Sequence, residues 1–219
     1  MNLIFDFDST IIKIETIDLI SSISLDKHPK KNEILNKIHA TTHHAMEGKI
    51  SFDKALDIRI EIIKANKKHV EKAKKIIQKN VTDSFIKNKE FLIQNSKRCY
   101  IVSGGFTEMI YPIAKKFNID KSHVFGNDFI YDQSNNIIGI NKKNVLSQNK
   151  GKVNIVNSIK GNNIMIGDGY TDYEVKKYHS ENQFIQFTEN IDRKNLNKYA
   201  DLIADNFSKI IDYLKNNEF

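Results

Sequence analysis

Three short apolar runs set the strongest constraint on this chain: Leu3-Ile4-Phe5, Tyr100-Ile101-Val102 and Ile164-Met165-Ile166. Each ends in a polar cluster: Asp6 after the first, Ser103-Gly104-Gly105 after the second, Gly167-Asp168-Gly169 after the third. Short runs that are apolar at consecutive positions are typical of parallel strands covered on both faces. Helical patterns over Phe85 to Asn95 and Lys152 to Ile159 separate them, so the order is strand, helices, strand, helix, strand. That order predicts an α/β open sheet. Such sheets bind ligands beyond the carboxyl ends of their strands, so the three polar clusters are expected to converge on one site.

Between the first two runs lies a segment from about Glu15 to Ile77 with helical periodicity and no convincing strand; Ala55, Leu56, Ile58, Ile62 and Ile63 supply an apolar face. Too long for an ordinary connection, it is expected to form an inserted helical domain over the strand ends. A smaller excursion, Asp128-Phe129-Ile130-Tyr131 and Ile137-Ile138-Gly139-Ile140 around Ser134-Asn135-Asn136, predicts a β-hairpin. No internal repeat or low-complexity tract interrupts the pattern.

At 219 residues and 40% hydrophobic composition, the chain is long enough for one substantial core and an insertion. Lysine and arginine outnumber aspartate and glutamate by 34 to 27, for a formal charge of +7. Nucleic-acid binding needs basic residues clustered against phosphates, whereas these lysines are spread along the chain and mixed with acids, so no nucleic-acid partner is expected. The lone cysteine, Cys99, allows no intrachain disulfide and fits a reducing, cytoplasmic setting. The opening residues show no leader pattern, and no apolar run approaches the roughly 18 residues of a membrane span, so neither targeting nor a membrane is expected.

The chemistry gathers at the strand ends. Asp6 and Asp8 are two apart, and a strand's period of two would turn both carboxylates to one side. Paired carboxylates there are costly without a cation; an oxygen-rich site suits Mg²⁺, and Asp168 at another strand end offers a further ligand. The glycines after Ser103 let backbone N–H groups approach an anion where a helix begins near Phe106. Lys150, ahead of Gly151 and the next helix, could set a charge on a phosphoryl oxygen, and Asp168 and Asp172 bracket a glycine turn. Each element alone also describes an ordinary turn or helix cap; their joint occurrence after successive strands is what points to phosphate chemistry. The cluster His39, His43 and His44 contains an i,i+4 pair, but with no nearby carboxylate or cysteine partner it reads as a solvated surface.

Together, Asp6-Phe7-Asp8-Ser9-Thr10, Ser103, Lys150 and Gly167-Asp168-Gly169-Tyr170-Thr171-Asp172 resemble the motifs of the haloacid dehalogenase superfamily of phosphohydrolases, and they span nearly the whole chain. The insertion, with Glu15-Thr16-Ile17-Asp18, Ala45-Met46-Glu47-Gly48, Phe52 and Arg59, is similar to the helical cap of the phosphoserine phosphatase branch. The last motif departs from the Gly-Ala-Asn-Asp of many members, most visibly at Tyr170. The resemblance implies a Rossmann-like core of residues 1–13 and 78–219 with a cap over 14–77. It implies Mg²⁺ held by the carboxylates of Asp6 and Asp168 and the backbone carbonyl of Asp8. Asp6 would then be the nucleophile, Asp8 the acid and base, and Ser103, Gly104 and Lys150 the groups on the phosphoryl oxygens, with Asp172 orienting Lys150 or a metal-bound water. Substrate binding would fall to Glu15, Met46, Phe52, Arg59, Ser103, Gly104 and Thr171. The implied substrate is a small phosphomonoester, O-phosphoserine in serine biosynthesis, handled by a monomer or homodimer. The rival expectations are a phosphatase or phosphotransferase of the same fold for another phosphomonoester and, more remotely, a basic binding protein without turnover.

Overall fold

The computed structural model describes residues 1–216. In chain order its elements are β1 (Asn2–Phe5), α1 (Thr16–Ser24), α2 (Lys31–Met46), α3 (Phe52–Ile62), α4 (Lys67–Ile77), α5 (Asp83–Lys87), α6 (Lys89–Gln94), β2 (Cys99–Phe106), α7 (Thr107–Ala114), β3 (Val124–Asn127), β4 (Phe129–Tyr131), β5 (Ile137–Ile140), α8 (Gly151–Ser158), β6 (Asn163–Gly167), α9 (Tyr170–Tyr178), β7 (Gln183–Phe187), β8 (Leu202–Ala204) and α10 (Phe207–Asn216).

The three apolar runs become the three central strands of a six-stranded sheet ordered β3-β2-β1-β6-β7-β8. Every neighbouring pair is parallel, with Phe5 opposite both Ile101 and Ile166. Because successive side chains alternate across a strand, each run feeds two layers. Leu3, Phe5, Ile101, Ile164 and Ile166 point into the larger cluster, while Ile4, Val102 and Met165 meet Leu146, Val156 and Val175 on the other face. Burial on both faces is why these strands read as continuous apolar runs. Phe85 is the hub of the larger layer, with ring centroids 5.6 Å from Phe5, 4.6 Å from Phe207 and 5.5 Å from Phe187. Cys99 is fully buried there, and burial pushes its thiol up to about 12. From β1 the chain builds outward to β2 and β3, then returns past β1 to build β6, β7 and β8 on the other side. The reversal between β1 and β6 opens a crevice at the carboxyl ends of the strands.

The segment between β1 and β2 carries α1 to α4 and is fastened at two places. Its entering and leaving strands lie side by side: Lys13 N donates to Asn80 O (2.9 Å), and Thr82 N to Ile11 O (2.9 Å). The β4–β5 hairpin grips the far end, with Ile137 N donating to Ala65 O (2.9 Å), Lys67 N to Asn135 O (2.9 Å), and Lys142 paired with Asp57. Asn66 caps α4 by accepting from Lys68 N and His69 N, while His69 Nδ1 accepts from Asn66 N, a reciprocal box that satisfies the first turn.

Two local readings change. The helical pattern from Phe85 to Asn95 is broken at Asn88, whose side chain donates to Ser84 O (2.8 Å) and Ser208 Oγ (3.1 Å) and so offers the backbone an alternative to continuous helix. The buried face of α3 is Ala55, Leu56 and Arg59, with Ile58 only half-buried. The second polar cluster lies on β2, which runs through Ser103-Gly104-Gly105 to Phe106, and α7 begins at Thr107, as expected from the sequence. Among the described residues no helix is long and apolar enough to cross a membrane. Since Phe85 touches aromatic rings from three strands and helices, Phe85→Ala is expected to cost about 3–5 kcal/mol in urea unfolding, against under about 1.5 kcal/mol for the volume-conserving Ile→Leu change at peripheral Ile211.

Candidate active site

The first polar cluster is shaped by one wide turn. Strand pairing ends at Phe5, and the backbone stays extended at Asp6 and Asp8 before Ser9 takes φ +55° and Ile12 N closes the turn on Phe7 O at 3.1 Å. Phe7 is buried beneath, so both carboxylates face the crevice, although strand pairing no longer holds them. A partly enclosed cavity opens there. Asp6, Asp8, Ser103, Gly104, Asp168 and Thr171 line it from the sheet side, and Glu15, Met46, Phe52 and Arg59 from the helical segment.

Lys150 is not among them. It caps α8 from outside, is exposed, and sets its ammonium 3.9 Å from the Tyr178 ring centroid. Lys152, one residue into the helix, is buried in its place, with Nζ 2.8 Å from Asp6 Oδ2 and 2.6 Å from Asp172 Oδ1. The helix start explains the correction: Lys150 sits at φ +59°, which turns it away from the face that Lys152 presents to the crevice. Asp172 therefore orients Lys152. It also accepts from Gly169 N at 3.0 Å, and it approaches Gly167 so closely that a Cβ there would lie 2.2 Å from its Cγ.

Asp168 is held by a residue that the sequence reading passed over. Arg193 Nε donates to Asp168 Oδ2 at 2.9 Å, and Gln186 Nε2 in turn donates to Arg193 O at 3.0 Å. One signal could have found it. The chain has only three arginines, Arg59, Arg98 and Arg193, among 34 basic residues, and in so lysine-rich a composition a retained guanidinium marks a need for its fixed fork of donors.

Electrostatics sort the carboxyls. Burial, then Glu15 and Asp6, push Asp8 well above the usual carboxylate range; its Oδ2 accepts from Thr16 Oγ1 at 2.9 Å, while Oδ1 is buried without a partner among the described residues. That upward push favours the protonated form of Asp8. Burial works against the Lys152 ammonium, but Asp172 and Asp6 outweigh it and hold the charge. Asp172 is raised by burial and drawn back by Lys152. One oxygen each from Asp6, Asp168 and Asp172 lie within 4.8 Å of one another, an all-oxygen set that fits a hard divalent cation. The Asp8 carboxyl stands outside that trio.

On the opposite wall, Glu15 accepts from Ser9 Oγ at 2.8 Å, and burial, Asp168 and Asp18 raise it to about 7. Arg59 is 3% exposed, and its only hydrogen bonds run to Ala55 O (3.1 Å) and Thr42 Oγ1 (3.2 Å), so among the described residues it has no carboxylate in salt-bridge reach. The tip of the Phe52 ring abuts Gly104, where a Cβ would lie 2.3 Å from its Cζ, and the Tyr170 ring lies over Gly48. Residues on the two sides of the cavity therefore touch. Two of the three histidines meet carboxylates instead of standing free, His39 with Asp18 and His43 with Glu47.

A family model for haloacid dehalogenase-like hydrolases matches residues 3–176. The phosphoserine phosphatase of Drosophila melanogaster is 29% identical, over 94% of this chain and 75% of its own length. The chloroplastic phosphoserine phosphatase of Arabidopsis thaliana is 26% identical, over 96% and 70%. Among solved structures, a phosphoserine phosphohydrolase-like protein from Francisella tularensis superposes with a TM-score of 0.87 at 29% identity, covering 97% of this chain and 99% of that one.

The two lysines can be told apart by stability alone. At neutral pH Lys152→Ala leaves two buried carboxylates without their counter-charge and is expected to cost about 3–5 kcal/mol in urea unfolding. Lys150→Ala removes an exposed contact and should cost under about 1 kcal/mol.

Proposed function

The chain belongs to the haloacid dehalogenase-like hydrolases, and from that membership and the charges of its cavity we infer that it hydrolyses O-phosphoserine to serine and phosphate. The observation that carries the substrate is Arg59: a buried guanidinium with no carboxylate partner, in the same cavity as a protonatable carboxyl pair and as Glu15. A substrate bearing a carboxylate for Arg59, an ammonium for Glu15 and a phosphate for Asp6 is an amino-acid phosphate. Relatives named phosphoserine phosphatase support the choice of serine.

In this reading Asp6 attacks phosphorus and forms a phosphoaspartate as the bond to the serine oxygen breaks. Asp8 gives its proton to that oxygen, then accepts one from the water that cleaves the phosphoaspartate. Ser103, Gly104 and Lys152 hold the phosphoryl oxygens, since a loose transition state is served mainly by positioning and charge. Met46 and Phe52 exclude water, and Thr171, whose Oγ1 is buried without a partner, completes the pocket. The carboxylates of Asp6 and Asp168 and the backbone carbonyl of Asp8 would hold Mg²⁺, with Asp172 kept by Lys152. Bound there, the ion would neutralise carboxylate charge and polarise the phosphoryl oxygens. Residues 14–77 act as a cap over a core of 1–13 and 78–219. The reaction supplies serine biosynthesis in the cytoplasm, carried out by a monomer or homodimer.

Chelation by EDTA is expected to abolish phosphate release and Mg²⁺ to restore it; a full rate in EDTA would overturn the metal assignment. Arg59→Ala leaves the substrate carboxylate unmatched, a loss of about 2–5 kcal/mol, so kcat/KM for phosphoserine should fall at least about 30-fold. The fall should exceed that for p-nitrophenyl phosphate, which has no carboxylate, by about tenfold or more. Equal losses on the two substrates would sink the phosphoserine assignment and leave the phosphatase assignment standing.

A further inference from the structure

Behind Arg59, away from the cavity, three helices of the inserted segment meet at a chain of hydrogen bonds that ends in solvent. Arg59 on α3 donates through Nη1 to Thr42 Oγ1 on α2 at 3.2 Å. Thr42 Oγ1 lies 3.3 Å from Asp18 Oδ1 on α1. Asp18 Oδ2 lies 2.5 Å from Nδ1 of His39, one turn before Thr42 on α2. A guanidinium can only donate, so the threonine oxygen must accept from it and is left its one hydrogen to give to Asp18. That transfer of direction needs Asp18 as an acceptor, and His39 is the group that faces its second oxygen. Asp18 and His39 do not line the cavity.

We propose that Asp18, Thr42 and His39 are positioning residues that hold the Arg59 guanidinium in register for the substrate carboxylate, so that an imidazole on the outer surface sets the affinity for amino-acid phosphates. The proposal rests on the reading of Arg59 as the carboxylate-binding group. Its physical basis is the scarcity of anchors. Among the described residues only Ala55 O and Thr42 Oγ1 hydrogen-bond the guanidinium, and the Phe52 ring, 5.9 Å away, fixes no direction in its plane. Losing the Thr42 contact would leave one hydrogen bond, at Nε, and the head free to rotate out of line with an incoming carboxylate. Asp18 is buried, which disfavours its charge, and His39 and Arg59 draw it back toward the ionised form; the other charged group facing it, Glu15, acts against it. His39 itself is largely exposed, with 58% of its side chain accessible, so its removal leaves no cavity in the fold. Helix α2 thus brings a surface residue and the threonine into one relay by the 3-residue spacing that places both on the same helical face.

The test is steady-state kinetics of the full chain with phosphoserine and with p-nitrophenyl phosphate, for the wild type, His39→Ala, His39→Lys, Thr42→Val, Arg59→Ala and the double variant Arg59→Ala/His39→Ala. Loss of one link to a charged group corresponds to about a tenfold rise in KM for phosphoserine in His39→Ala and in Thr42→Val, with kcat and the p-nitrophenyl phosphate KM unmoved. His39→Lys, which keeps a hydrogen-bond donor beside Asp18, should restore the wild-type KM. In the Arg59→Ala background, His39→Ala should add nothing, because the relay has lost its end. If Arg59→Ala raises the phosphoserine KM but His39→Ala does not, or if His39→Ala raises the KM of both substrates together, the relay is wrong and the substrate reading stands. If Arg59→Ala also leaves the phosphoserine KM unmoved, both fall.

Discussion

Four carboxyls at the ends of two neighbouring strands repel one another in a crevice from which most water is excluded, and the arrangement of the rest of the site answers that repulsion. Lys152 spans Asp6 and Asp172, Arg193 takes Asp168, and burial and its acidic neighbours push Asp8 upward, toward the uncharged form. Breaking any one of these would leave an uncompensated charge in low dielectric. The absence of a side chain at Gly167 lets Asp172 come close enough to reach Lys152, and α8 starts where its second residue meets both acids. The sheet order supplies the place: strand order reverses between β1 and β6, and Asp6 and Asp168 follow those two strands.

The inserted helices set a second group of charges against the first. Their position depends on the paired stem at Ile11 to Lys13 and Asn80 to Thr82 and on the hairpin that hydrogen-bonds to Ala65 and Lys67. So anchored, α1 brings Glu15 and α3 brings Arg59 to the wall opposite Asp6, and Phe52 seals against the bare backbone of Gly104. The strand-end carboxyls of Asp6, Asp8 and Asp168 thereby line one cavity with Arg59 and Glu15. The binding wall is tuned through α2, whose outward residues reach Arg59 only by way of Asp18 and Thr42.

Much of this was legible from residue order. The three apolar runs became the three central strands because burial on both faces demands apolar residues at every position, and the hairpin and the helical insertion were readable from their periods. The flanking strands were not: Val124–Asn127 contains a glycine, Gln183–Phe187 mixes glutamines into its run, and Leu202–Ala204 is only three residues long. The break at Asn88 also escaped, since it depends partly on Ser208, distant in sequence.

The sequence by itself determined the α/β class and the convergence of Asp6, Asp8, Ser103 and Asp168, because these follow from local periodicity and from what a strand end does with the residues after it; Glu15, Met46, Phe52 and Arg59 were singled out only by the resemblance to the family's helical cap. Only the tertiary structure decided which lysine enters the site, since Lys150 and Lys152 differ by the backbone turn at a helix start and not by composition. It alone decided that Arg193 holds Asp168, that a charged Arg59 occupies a buried position of α3, and that His39 touches Asp18. Those pairings join elements far apart in the chain, and their energies come from excluding water around charges, which no local pattern records.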